Sequence, residues 1–234
     1  FQQESKIRKD LINIDPENFL LARGPAYRMS AEMVRDNALK ISGLLVPKIG
    51  GKSVYPYQPD DLWNLSDKKW RYRYQHDTGN GLYRRSLYTF WKRSSPPPSM
   101  IIFDTPNRDL CSVKRTLTSS PLQALLLLND PQYVEAARVM AEKAILSEDE
   151  NMDKKLSTIF RKITGRSIND RELEILVRFY NEEKEKFLRN PTKAVAYLKT
   201  GVQPINPKTG IINTAALATV ISGMMNTAEA ITIN

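Results

Sequence analysis

From Ser120 onward the chain starts and stops helices in quick succession, and this pattern leaves room for little else. Ser120-Pro121-Leu122-Gln123 places an N-cap serine before a proline preset for the first helical position, with Gln123 able to reach back as in a capping box. The following run, Pro121–Leu128, is apolar nearly all round, which predicts a helix deep in the core. Asp130-Pro131 starts the next helix by the same device, to about Leu146, and an acidic turn follows over Ser147–Asn151. Met152, Leu156, Ile159, Phe160 and Ile163 recur at helical spacing, closed by Gly165. Asn169 with Glu172 caps another helix, whose stripe is Leu173, Leu176, Val177, Tyr180, Phe187 and Leu188, with Glu182 and Lys186 as an i,i+4 pair. Pro204 and Pro207 bracket a turn, and a last helix is predicted from about Asn213 to Ala230.

The first half reads differently. Residues 1–28 are polar, with a turn at Asp15-Pro16. Ser30 caps a helix to about Leu45, with Glu32 and Asp36 near its positive end and Val34, Ala38, Ile41 and Leu45 on one stripe; Pro47 and Gly50-Gly51 end it. Residues 47–82 are irregular, yet they carry Tyr55, Tyr57, Trp63, Trp70, Tyr72 and Tyr74. A disordered linker would not hold so many aromatics, so this stretch is either wrapped onto the core or functional. Residues 82–93 fit a helix by spacing, but their aromatic and threonine content leans toward a short strand, before Pro96-Pro97-Pro98 forces an extended turn. The fold class is therefore mainly α: a single multi-helix domain over 1–234 with a long irregular aromatic-rich region and at most a short strand or hairpin. Residues 1–115 form its basic, loop-rich portion and 116–234 its helical bundle.

Some chemistries are closed to the chain. Its one cysteine, Cys111, allows no intrachain disulfide and no cysteine-based zinc site. Its one histidine, His76, rules out a two-histidine metal centre, and the single cysteine rules out the Cys-x-x-Cys-His haem attachment within the chain. His76 reads as a surface residue and Cys111 as a small buried one, although Lys114-Arg115 could make its thiol reactive. The longest apolar run, near Ala215–Met225, is about half the ~20 residues of a membrane span and predicts a buried helix. The chain opens without methionine and reads as a fragment or mature segment.

Charge is lopsided. The formal net charge is +9, with 20 lysines and arginines against 12 acids in residues 1–115 and 15 against 14 thereafter. The densest constellation runs from Lys68 to Arg93, where Lys68, Lys69, Arg71, Arg73, Arg84, Arg85, Lys92 and Arg93 alternate with Trp70, Tyr72, Tyr74, Tyr83, Tyr88, Phe90 and Trp91. Guanidinium forks hold sulfates, phosphates or carboxylates, and aromatic faces stack on sugars or bases, so the cluster suits a polyanion. The competing reading has the rings packing as core and the arginines bonding backbone carbonyls or acids. Asp104 and Asp109 flank Pro106-Asn107-Arg108 and could work as an acid and base pair, but Asp104 fits better as a turn-former. Asn129-Asp130-Pro131 is explained by helix capping.

The strings SVYPYQP (residues 53–59), LYRRSLYTFWKRSSPPPSM (82–100), FDTPNRDLCSVKRTLTSSPLQALLLLNDPQYVEAAR (103–138) and ITGR (163–166) resemble planctomycete-specific domain one, domain of unknown function 1553. The resemblance implies a domain at the C-terminal end of large exported multidomain proteins of planctomycetes, verrucomicrobia and Bacteroidetes. A c-type cytochrome domain often stands upstream, sometimes with a lectin-like one, and genes for sulfatases and polysaccharide-degrading enzymes lie nearby. It brings no catalytic residues. Family-type residues present are Arg84, Arg85, Tyr88, Trp91, Lys92, Arg93, Asp104, Arg115 and Asn129. The family's Asn-x-Asp-Glu pattern reads Asn226-Thr227-Ala228-Glu229 here, so the aspartate is missing.

Two functions follow as expectations. In the first the chain is a non-catalytic helical module. It docks on other domains of its own polypeptide, in a cytochrome-c-associated, polysaccharide-processing assembly of the cell envelope or periplasm. It needs no cofactor itself, and any haem sits on a neighbouring domain. In the second it is an enzyme or binding domain for a sulfated or acidic glycan, held by Arg84, Arg85, Tyr88, Trp91, Lys92, Arg93, Asp104 and Arg115, with no metal. Nucleic acid fits the charge but no motif, and exported relatives argue against it. The sequence assigns no reaction.

Overall fold

The computed structural model describes residues 5, 9–59, 61–63, 74–148 and 151–233. Lys68, Lys69, Trp70, Arg71, Tyr72 and Arg73 of the basic aromatic cluster, and residues 149–150 of the acidic turn, lie outside them.

The chain is mainly α, as its capping signals require. A short helix, α1 (Lys9–Ile14), leads to the Asp15-Pro16 turn, where the Asp15 carboxylate accepts from the amides of Phe19 and Leu20 at 2.8 and 2.7 Å. In α2 (Ala31–Ser42) the Ser30 hydroxyl accepts from Met33 N. The helix stops at Gly43, short of the expected Leu45. Gly43 is left-handed at φ 72°, and a Cβ there would run into the Lys143 side chain, whose Nζ donates to Ser42 O at 2.7 Å. Next come α3 (Pro98–Ile102), α4 (Pro121–Asn129), α5 (Pro131–Ile145), α6 (Met152–Thr164) and α7 (Asp170–Arg189). Then follow α8 (Pro191–Leu198), which the sequence reading did not anticipate, and α9 (Ile211–Met225), which ends five residues before Ala230.

The predicted caps form. Gln123 Oε1 accepts from Ser120 N, Asp130 accepts from Gln132 N, and Asn169 and Glu172 bond each other's backbone amides. Gly165 closes α6 at φ 82°. The i,i+4 pair at Glu182 does not: Lys186 bonds Glu183 at 2.6 Å, while Glu182 faces Arg178 at 3.9 Å.

The core centres on α9, apolar all round and buried along Ala215–Leu217, Val220 and Ile221, with α5, α7 and α8 packed about it. Ala31, Val34 and Ala38 of α2 join the same core cluster as Leu156 of α6 and Val220 of α9, so the loop-rich portion and the bundle share one interior. Two short antiparallel strands, β1 (Tyr27–Arg28) and β2 (Thr232–Ile233), pair Tyr27 with Ile233 and join the ends of the described fold.

Residues 82–93 form no strand. They make two short 3-10 turns, Gly79–Tyr83 and Ser86–Tyr88, touching extended chain only through single bridges of Val46 with Arg84 and Val54 with Thr89. The aromatic content that suggested a strand packs instead into a nest: Tyr55 stacks on Phe90 at 5.0 Å, and Trp63 meets Tyr74 edge-on at 5.0 Å. The described part of the irregular stretch is tied to the body of the protein, with the Tyr57 hydroxyl donating to Glu135 of α5.

Candidate functional site

The eight residues singled out by charge and aromatic content divide among separate partners. Arg84 is buried, donates to the carbonyls of Lys52 (2.8 Å), Lys48 (3.2 Å) and Gly50, and lies 4.0 Å over the Tyr88 ring. Tyr88 Oη in turn accepts from Gly50 N at 2.8 Å. Arg84 and Tyr88 therefore clamp the glycine turn at 50–51. Arg85 is exposed, 3.8 Å from Asp36. Trp91 donates to Asn107 O and carries the Arg108 guanidinium at 4.3 Å. Lys92 sits over Trp63 at 5.0 Å, and the exposed Arg93 reaches Asp109 only at 4.0 Å. Asp104, left-handed at φ 61°, accepts from the Thr118 amide and hydroxyl at 2.7 and 2.8 Å, so its carboxylate pins a 14-residue loop rather than a local turn. Arg115 forms a two-point pair with Glu32, which holds that carboxyl below its usual range against the opposing effect of burial. The eight do not line one cavity among those described. Cys111 is exposed rather than buried, because the loop carrying it runs over the surface.

Two buried residues that sequence reasoning passed over organise this region. Arg35, inside α2, donates to Leu82 O (2.6 Å), Arg84 O (2.9 Å), Ser86 Oγ (3.1 Å) and Gln132 Oε1 (3.2 Å). Desolvation pulls its pKa down, and the nearby Asp36 opposes this. Glu135, on α5 and 0% exposed, accepts from Tyr57 and Tyr83 hydroxyls at 3.1 Å each and from Gln203 N at 2.8 Å. Burial, reinforced by Glu135, raises both tyrosines, Tyr83 to about 12. Arg138, also fully buried, bonds Glu142 at 2.8 Å and Gln203 O at 2.8 Å. The spacing Gln132, Glu135, Arg138, Glu142 on one helix face was the available signal.

The surface with the most convergent features lies elsewhere, on α4. Leu122, Leu125 and Leu128 are 53, 57 and 41% exposed, and within α4 only Gln123 and Leu127 are buried. The expectation of a deeply buried helix is corrected here: an all-round apolar sequence does not say which side the rest of the chain covers. A groove of about 310 Å³ runs beside α4, floored by Ile102, Leu122, Leu125 and Leu126. Its wall brings together three of the distinctive strings: Tyr57, Gln58 and Pro59; Pro98 and Ser99; Asn129 and Asp130. Gln58 Nε2 is buried there without a hydrogen-bond partner among the described residues. Desolvation raises Asp130 to about 6, opposed by the Gln132 amide and by Arg35. Apolar floor, few polar groups and a shifted carboxyl are the usual makings of a binding site.

A third cluster ties helix ends together. Arg166, last residue of the ITGR string, makes paired bonds to both Glu172 and Glu229, the closest at 2.6 Å, and lies 4.8 Å over Phe160. The Arg166 bonds hold Glu172 down at about 2. Glu229, the surviving acid of the Asn226–Glu229 pattern, thus serves a structural fork.

Among the described residues no group of three or more histidine, cysteine or acidic side chains is placed to hold a metal, and no helix is long and apolar enough to cross a membrane. No curated protein and no solved structure matches the chain. The model of one family, PSD1, described as a protein of unknown function (DUF1553), matches residues 1–180. That match takes in the α4 groove, the Arg84 clamp and the Arg166–Glu172 half of the fork, but not Glu229, and the chain belongs to the PSD1 (DUF1553) family.

Proposed function

We propose that the domain is a non-catalytic docking module, packing against other domains of its own polypeptide through the face built on α4. The observation that carries this is the row Leu122, Leu125 and Leu128, each more than a third exposed and flanked by an apolar groove. Leaving such a row in water is costly, roughly 25 cal/mol for each Å² of apolar surface, and contiguous exposed patches mark interaction sites. The setting that resemblance implies agrees with it: an exported multidomain polypeptide in the cell envelope, with haem on a neighbouring domain and polysaccharide processing as the shared task. The test uses this domain and the remainder of its polypeptide as two purified chains. They are expected to co-elute in size-exclusion chromatography, and Leu122→Asp with Leu125→Asp to abolish co-elution while leaving the circular dichroism unchanged. Co-elution that survives the double variant would remove α4 from the interface.

A second reading, binding of a sulfated or acidic glycan, draws on Arg108 stacked over Trp91 with the exposed Arg93 two residues along the chain. Stacked guanidinium and ring suit a sulfated sugar. Heparin affinity at low ionic strength, lost in an Arg93→Ala and Arg108→Ala variant, would support it; no retention at low salt would exclude it, because screening is weakest there.

A further inference from the structure

Among the described residues one face of α7 is left without a partner, and its charge runs against the rest of the molecule. Positions 170, 174, 178 and 182 and positions 173, 177, 181 and 185 form two adjacent rows, each stepping by four, so they share a single side of the helix. With Asp153 from the first turn of α6 they line a groove of about 550 Å³. Leu173 and Val177 form its floor, half-buried with one side against the main core. Asp153, Asp170, Glu174, Glu182 and Glu185 supply its rim, with Arg178 as the one cation among them. Glu182 and Glu185 reach Arg178 and Arg189 only at 3.9 and 3.5 Å with exposed side chains, and Glu174 has no ion pair among the described residues. A chain of net charge +9 therefore holds a strip of inverted field around an apolar floor.

We propose that this groove is a docking site for a cationic amphipathic helix, carrying leucine-like side chains on one face and flanking lysines or arginines. The strip from Asp170 to Glu185 is about 22 Å long at ~1.5 Å per residue, so it matches a helix of about 15 residues. Leu173 and Val177, one turn apart, take apolar anchors of the visitor, as in helix-in-groove recognition. The carboxylates on both sides fix its register and favour a basic visitor over an acidic one by direct repulsion of the latter. The rest of the domain repels such a visitor, so attraction is confined to the groove. This site is separate from the α4 face, and the two can stand or fall independently.

The test is fluorescence anisotropy of the full chain with a labelled helical peptide of about 15 leucines and lysines, sized to the strip. Saturable binding is expected at low salt, weakening about tenfold or more at about 0.3 M salt as screening sets in. Glu174→Lys with Glu182→Lys and Glu185→Lys, all at exposed positions that leave the fold intact, should weaken it by a similar or larger factor. The leucine–glutamate counterpart should not bind, and a peptide with serines in place of the leucines should bind about tenfold more weakly if the apolar floor takes part. No binding at low salt, or equal binding by the charge-reversed chain, would overturn the proposal. So would equal binding of the serine peptide. Sedimentation of the chain alone covers the remaining occupant: self-association at low salt that the reversal abolishes would assign the groove to a second copy and overturn the peptide assignment.

Discussion

Arg84 and Arg85 are neighbours in sequence with opposite fates, and the difference lies in what surrounds the guanidinium. Arg84 is buried and satisfies three carbonyls of the 48–52 turn, whereas Arg85 is exposed beside one distant carboxylate. A lysine cannot present a planar fork to three acceptors, so Arg84→Lys is expected to destabilise by about 2–4 kcal/mol in urea unfolding. Arg85→Ala should stay within about 0.5 kcal/mol. Asp130 supplies a pH signature. Its folded pKa of about 6 lies above the ordinary 3.8, so the folded state binds the proton more tightly. Stability from this group is fully present below about pH 4 and is lost as pH rises through 6. Discounted for partial exposure, this difference corresponds to roughly 1–2 kcal/mol. Asparagine keeps the N-cap without the charge, so Asp130→Asn should flatten the fall in melting temperature between pH 4 and 6.5 while leaving α5 intact. An unchanged slope would place the titration elsewhere.

At the scale of elements, most helices after residue 115 were legible because their signals are local. Ser120, Asp130, Asn169 and Gly165 each act within one turn of themselves. One helix, α8, was missed although Asn190-Pro191 carries a local signal of the same kind, and two further features were not legible, for a common reason. Residues 82–93 take their shape from Arg35, which bonds Leu82 O and Arg84 O from more than 45 positions away, and no window of sequence shows that. The orientation of α4 depends on which side the Asp104–Thr118 loop, the neighbouring helices and Gln123 leave open. Gln123 Nε2 donates to Ile102 O at 2.8 Å while its Oε1 takes Arg28 at 2.7 Å, so it anchors the buried side. Leu127→Ala should therefore cost about 2–4 kcal/mol, and Leu125→Ala less than about 1 kcal/mol, in the same unfolding assay. Gly201, at φ 90°, has the Glu135 carboxylate where a Cβ would stand, so Gly201→Ala should destabilise by about 2 kcal/mol or more and release the 201–206 strap from α5.

On the scale of the whole molecule, the residues singled out by charge and the groove beside α4 fall in different places. The expectation that cations and rings mark a ligand site rested on their density along the chain. Among the described residues, Arg84, Asp104 and Arg115 bond to different parts of the chain, at 48–52, Thr118 and Glu32. What the strings SVYPYQP, SSPPPSM and SPLQALLLLNDPQYV have in common is the α4 groove, and nothing in any one of them reveals that they meet. The docking account is tested most directly by thiol labelling at Leu125→Cys, in a chain whose exposed Cys111 is first replaced by serine. If a neighbouring domain covers α4 as proposed, maleimide should modify Cys at that position readily in the isolated domain and at least about tenfold more slowly in the complete polypeptide. Equal rates in the two would contradict the account and leave the leucine row as bare surface.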